Sequence, residues 1–219
     1  MSTQHAALAF VGAGALGQAF AGFLAASGQP VAILVTESRA AQLYRDQYVR
    51  LYGVRELAIP IAAAPAPAGT IGITTDPAQL PDVEGLIFTT KAHQLPDAIA
   101  TVRRAWKTSG DRIRWVAGAQ NGLAKDTMLI EAFGPERSVG MVTILSGQSD
   151  PDGRINVRSV GMTYLGEFAG GGSARVGAAV AALNQAGIPA TAAADIQSVL
   201  PSSSSVFRPL RPTMLRAHT

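Results

Sequence analysis

The chain has 219 residues, 47% of them hydrophobic and 15% charged, with a formal net charge of +3 and no cysteine. That balance excludes a disordered polypeptide, which needs few apolar residues and high charge, and it excludes disulfide scaffolds and thiolate sites. The N-terminus MSTQHAALAFVGAG has no basic region, cleavage site or membrane-length apolar run, so a cytoplasmic protein without a membrane span is expected.

Residues 7–11, ALAFV, read as a short buried strand, and the glycine turn after them leads into a helix over 15–27 stopped by Gly28 and Pro30. VAILV (31–35) is a second buried strand, followed by a helical stretch containing Ala40, Leu43 and Tyr44. Two strands joined by one helix form a parallel unit with a right-handed crossover. From Leu51 to Thr75 the chain is apolar and proline-rich, with alternation that reads as short strands around a loop. GLIFTT (85–90) and IRWVAGA (113–119) read as core strands separated by a helix over 95–106, and SVGMVTIL (138–145) as another strand. Asp152-Gly153 supplies a hairpin turn between GQSD and RINV, MTYLGEF is a further strand, and 174–186 is a helix stopped by Gly187 and Pro189. Strands alternating with helices predict an α/β fold of Rossmann type, a doubly wound parallel sheet with an antiparallel extension, occupying residues 1–200. Residues 201–219 hold four consecutive serines and three prolines without periodicity, and are expected to form an irregular, disordered tail.

In an open α/β sheet, ligands bind beyond the carboxyl ends of the strands. The first turn, Gly12-Ala13-Gly14-Ala15-Leu16-Gly17, lies there. Gly12 permits the tight turn, Gly14 lets the backbone approach a pyrophosphate, and Gly17 permits close helix packing, with the helix N-terminus facing the phosphates. Lys91 and Asn121-Gly122 follow two other strands, and a cation and an amide placed there could hold a nicotinamide ribose and an anionic substrate. TESR (36–39) leaves the dinucleotide open: Glu37 suits NAD, whereas Thr36, Ser38 and Arg39 suit the 2′-phosphate of NADP. His93 reads as a surface histidine. His5 and His218 lie at the termini, and no histidine or carboxylate stands at ligand spacing, so no metal site is expected. The basic excess sits in Arg208, Arg211 and Arg216 rather than on an aromatic-interleaved face, which argues against nucleic acid.

Four segments together, VGAGALG at the start, TTKAHQ at 89–94, AQNGL at 119–123 and the DGRI…GMTYLGE stretch, resemble the ketopantoate reductases (2-dehydropantoate 2-reductases). The resemblance covers about residues 7–200. It implies NADP(H) as cofactor, hydride delivery to the ketone of a small 2-oxo acid, ketopantoate, and a place in pantothenate synthesis. It also implies that Gly12 to Gly17 cradle the pyrophosphate, Lys91 contacts the cofactor, and Asn121 touches nicotinamide ribose and substrate. Many members carry Arg directly after the second strand, where this chain has Thr36, so Arg39 is expected to take that role from the next turn. The family continues into an all-helical second domain that opens with Trp, any residue, Lys, Leu, the lysine serving as general acid. Here the corresponding residues are Pro201 and the serines that follow, so no catalytic residue is assigned, the helical domain is expected to be absent, and the terminus reads as truncated or out of frame. Activity is then expected to be impaired, and apolar surface left by the missing domain would favour a homo-oligomer. Two alternatives stand beside this reading: an NADP-binding module without turnover, and a reductase of another 2-oxo acid or an imine.

Overall fold

The computed structural model describes residues 6–109 and 113–199. Its opening unit runs β1 (Ala6–Val11), α1 (Ala15–Ala26), β2 (Val31–Leu34) and α2 (Glu37–Asp46), with β1 and β2 paired in parallel from Leu8 opposite Val31 to Val11 opposite Leu34. The two-residue period of β1 decides what packs on each face. Leu8 and Phe10 enter the apolar cluster that contains α1, whereas Ala9 and Val11 enter the cluster on the other side of the sheet. Phe10 stacks on Phe20 of α1 with ring centroids 5.7 Å apart, a pairing that contributes about 0.5–1.5 kcal/mol beyond the area it buries.

The chain continues through β3 (Tyr48–Gly53), β4 (Leu57–Ala63), β5 (Ile71–Thr74), β6 (Val83–Phe88), α3 (Leu95–Ser109), β7 (Ile113–Gly118) and α4 (Ala124–Phe133). It ends in β8 (Val139–Ser149), β9 (Ile155–Glu167), α5 (Ala174–Gln185), β10 (Ala190–Ala192) and α6 (Ile196–Val199). The parallel core has the order β5-β2-β1-β6-β7, the strand arrangement of a Rossmann half. Leu95, Ile99 and Val102 of α3 and Leu129 of α4 cover one face, while α1, α2 and α5 cover the other, so the sheet is doubly wound. Antiparallel pairs β3–β4 and β8–β9 extend it. A parallel bridge between Val116 and Ser138 sets the start of β8 beside β7, while β9 pairs with β3 at the far end. The sheet therefore curls around α1, in which every residue from Gly17 to Ala25 is buried. A helix enclosed in this way is apolar all round rather than on one stripe.

Several elements differ from the sequence expectations. Strand β3 starts at Tyr48, ahead of Leu51, and its Val49 and Leu51 alternate into the core. RINV from Ile155 and MTYLGEF up to Glu167 belong to one 13-residue strand, β9, whose partner β8 takes up register shifts near Thr143–Leu145 and Ser146–Gly147. Helix α4 was not expected, because its buried Lys125 and Asp126 and its exposed Met128 invert the usual pattern. The tail 201–219, together with His5 and His218, lies outside the described residues. Among the described residues, no helix is long and apolar enough to cross a membrane.

Candidate functional site

Two glycines of the first turn are required by the fold. Gly12 leaves β1 at φ +103°, and a Cβ there would stand 2.9 Å from Thr90 Cγ2 and 3.1 Å from the Thr90 nitrogen. A Cβ on Gly17 would stand 2.1 Å from the Gly12 carbonyl oxygen and 2.6 Å from Thr89 Oγ1. Gly14 is different. Its φ is an ordinary −72°, it is exposed, and nothing lies within 4 Å of where its Cβ would be. Gly14 is also the N-cap of α1 and offers no side-chain cap, so no capping side chain occupies the first-turn N–H groups.

The carbonyls of this turn are drawn inward. Val11 O accepts from the Thr89 nitrogen at 2.9 Å, and Thr89 Oγ1 lies 3.1 Å from Val11 O and 2.8 Å from Gly12 O, with one proton to give. Ala13 O accepts from Gln18 Nε2 at 2.8 Å and from Arg39 Nε at 3.2 Å. Thr89 and Gln18 are both buried. The carbonyl oxygens of Val11, Gly12 and Ala13, which would repel an anion, are thus each engaged by a donor, and the helix N-terminus presents the positive end of its dipole. Sequence reasoning singled out neither residue as part of the site. For Gln18 a signal existed, since it is the lone amide in the apolar run from Gly17 to Ala25.

At the end of β2 the four residues of TESR separate by role. Thr36 caps α2, its Oγ1 accepting from the Arg39 nitrogen at 3.4 Å, and Ser38 Oγ lies 3.2 Å from Thr36 Oγ1. Glu37 borders a cleft between α2 and β5 shared with Tyr44 and Ile73. Arg39 alone reaches the glycine turn, and its Nη1 donates to Gln42 Oε1 at 2.5 Å. Burial holds the Arg39 pKa below its ordinary value, opposed by the charge of Asp46. A guanidinium stays charged regardless, so its partial desolvation favours an incoming anion.

Lys91 and Asn121 occupy equivalent places on neighbouring strands. Phe88 of β6 pairs with Gly118 of β7, and each residue lies three positions beyond its member of that pair. Both are exposed. Lys91 precedes a short 3-10 turn (Ala92–Gln94), its nitrogen donating to Gln94 Oε1 at 3.3 Å. Gln120 Nε2 donates to Thr90 O at 2.8 Å, joining the two loops. A chain of contacts therefore joins the site residues: Arg39 bonds the glycine turn, the turn lies against Thr90, and Thr90 is tied to Gln120, the neighbour of Asn121 in sequence. His93 is exposed.

Beneath the Asn121 loop, Lys125 Nζ and Asp126 Oδ1 pair at 2.6 Å with both side chains buried, leaving Asp126 Oδ2 without a hydrogen bond. Burial pushes the Asp126 carboxyl up and the Lys125 ammonium down from their ordinary pKa values, and each is partly restored by the other. Among the described residues, no three His, Asp or Glu side chains come together in metal-binding geometry.

A model of the family described as ketopantoate reductase PanE/ApbA matches residues 8–170. The 2-dehydropantoate 2-reductase of Pyrococcus abyssi is 25% identical over 158 residues, covering 72% of this chain and 46% of that protein. The chain spans about half the length of the curated relatives it matches. Among solved structures, the 2-dehydropantoate 2-reductase of Geobacter metallireducens superposes with a TM-score of 0.71 at 22% identity, covering 87% of this chain and 59% of that one. D-mandelate dehydrogenase in complex with NADH superposes with a TM-score of 0.64 at 19% identity, covering 87% of this chain and 56% of that one.

Proposed function

The chain belongs to the ketopantoate reductase PanE/ApbA family, and from that membership we propose that it binds NADP(H) across the carboxyl ends of β2, β1, β6 and β7 as the cofactor-binding part of a 2-dehydropantoate 2-reductase. The observation that carries the reading is Gly14, a glycine with ordinary φ and open space where a side chain would be, at the uncapped start of α1. A pyrophosphate accounts for that space, because its oxygens need the room and the donors around it.

In this reading the main chain from Gly12 through Ala13, Gly14, Ala15 and Leu16 to Gly17 holds the pyrophosphate. Arg39, already at the turn, meets the 2′-phosphate, which favours NADPH over NADH. Lys91 contacts the cofactor and draws the carboxylate of the 2-oxo acid by charge. Asn121 orients both the nicotinamide ribose and the substrate. When bound, the cofactor supplies the hydride that reduces the substrate ketone to an alcohol. The residues expected at the acid's position, Pro201 and the serines that follow, lie outside the described residues.

Titration of the purified chain with NADPH and NADH, followed by assay of NADPH oxidation with ketopantoate and with other 2-oxo acids, tests the proposal. Preferential NADPH binding that drops by about 10- to 100-fold in Arg39→Ala, with NADH affinity unchanged, is the expected result. Absence of dinucleotide binding would overturn it, and oxidation driven only by a different 2-oxo acid would reassign the substrate.

A further inference from the structure

We propose that Gln18 is a positioning residue for the pyrophosphate, acting through the Ala13 carbonyl; the inference rests on the dinucleotide reading above. Gln18 stands at 1% exposure in a helix that is otherwise apolar from Gly17 to Ala25, and a buried amide in such surroundings is costly unless its hydrogen bonds are made. It directs Nε2 to Ala13 O at 2.8 Å, five residues back along the chain and outside the helix ladder. A helix needs no such bond.

The bond fixes the orientation of one peptide unit. In a trans peptide the carbonyl and the following N–H point in opposite directions. With the Ala13 oxygen held toward Gln18 and Arg39, the Gly14 N–H is directed away from both, at a residue that is itself exposed. Were this peptide to rotate, a carbonyl dipole would replace the N–H at the helix N-terminus and repel the anion. The Thr89 N–H holds the Val11 oxygen and its hydroxyl lies at the Gly12 oxygen, so Gln18 secures the carbonyl that Thr89 does not engage. Arg39 shares that acceptor but also bonds Gln42, and its role in the reading is to meet the 2′-phosphate. Gln18 has no such second task, so its contribution is common to NADPH and NADH.

Gln18→Met keeps side-chain length and apolar packing while removing the donor. In titrations followed by thermal melting of the same samples, the variant is expected to bind NADPH and NADH each about 10- to 100-fold more weakly than the wild type. Inorganic pyrophosphate should lose affinity in parallel, and the NADPH to NADH preference, which Arg39→Ala alters, should stay within about threefold of the wild type. A folded Gln18→Met protein with wild-type affinities overturns the inference, while a wild-type chain that binds neither dinucleotide overturns the functional reading and this inference with it. Should Gln18→Met fail to fold, amide NMR of the wild type decides. Inorganic pyrophosphate should shift the Gly14 amide strongly and leave the Gln18 side-chain amide bonded. A Gly14 amide that does not respond in a chain that binds NADPH also overturns it.

Discussion

The side chain of Gln120 donates to the main-chain carbonyl of Thr90 at 2.8 Å, joining the loop that carries Asn121 to the loop that carries Lys91. The spacing of the two candidate contacts at the nicotinamide end is thus tied by the Gln120 side chain, beside the main-chain bond from the Ala119 nitrogen to Phe88 O at 2.9 Å. Gln120→Ala removes the side-chain bond without touching the glycine turn. NADPH affinity is expected to fall by about 2- to 10-fold, the range of one net hydrogen bond. Adenosine 2′,5′-bisphosphate, which has no nicotinamide end, should bind as in the wild type. Calorimetric titration with both ligands checks this, and equal losses for the two would remove Gln120 from that role.

The buried pair Lys125–Asp126 contributes to stability only as a pair. Its side chains are 2% and 6% exposed, so removing one partner leaves an uncompensated charge in the core. Lys125→Met or Asp126→Leu alone is expected to cost about 3–5 kcal/mol, whereas the double replacement should be near neutral or stabilising. Urea denaturation of the three variants measures the difference. A double variant as unstable as the sum of the singles would contradict the prediction.

Glu167 gives the fold an acid-sensitive anchor. Its carboxylate accepts from Arg175 Nε at 2.8 Å, Arg175 Nη2 at 2.6 Å and Ser173 Oγ at 2.5 Å, linking the end of β9 to the start of α5. The Arg175 bonds, chiefly, hold its pKa below the ordinary 4.5. For a depressed carboxyl, the native state binds fewer protons than the unfolded state through this window. The stabilisation is therefore full above the unfolded pKa and is lost as pH falls through the native one. Arg175→Met should lower stability at neutral pH, and the gap to the wild type should narrow as the pH falls below 4.5 and through the native pKa of Glu167. A gap independent of pH in denaturant titrations would show that the ion pair is not its source.

The local parts of this fold were the legible ones. Strand β1, its glycine turn and α1 follow one another without a gap, so an apolar run, three spaced glycines and an Ala-rich segment sufficed to mark them. Arg39 could be named as a candidate, but only its bond to Ala13 O separates it from Glu37, which faces a different cleft. Gln18, Thr89 and Gln120 escaped assignment because each acts through a carbonyl, and a sequence does not record where carbonyls point. The curl of the sheet around α1 was equally hidden, since it depends on the Val116–Ser138 bridge between distant segments. Helix α4 was missed because a buried ion pair sits where apolar periodicity would have revealed it.

The central claim is that the first turn exists to hold a pyrophosphate, and Gly14→Val tests it most directly. Valine is compatible with φ −72° at a position with nothing within 4 Å of its Cβ, so folding should tolerate it. Gly17→Ala is the contrasting control, because its Cβ would meet the Gly12 carbonyl oxygen at 2.1 Å and should cost about 1–3 kcal/mol or more. The decisive measurement is the NADPH dissociation constant of Gly14→Val beside that of the wild type, with the melting temperature of each. The expected result is a melting temperature close to that of the wild type and no measurable binding. Wild-type NADPH affinity in the folded Gly14→Val chain would contradict the claim, and the turn would then be a connection between a strand and a helix and nothing more.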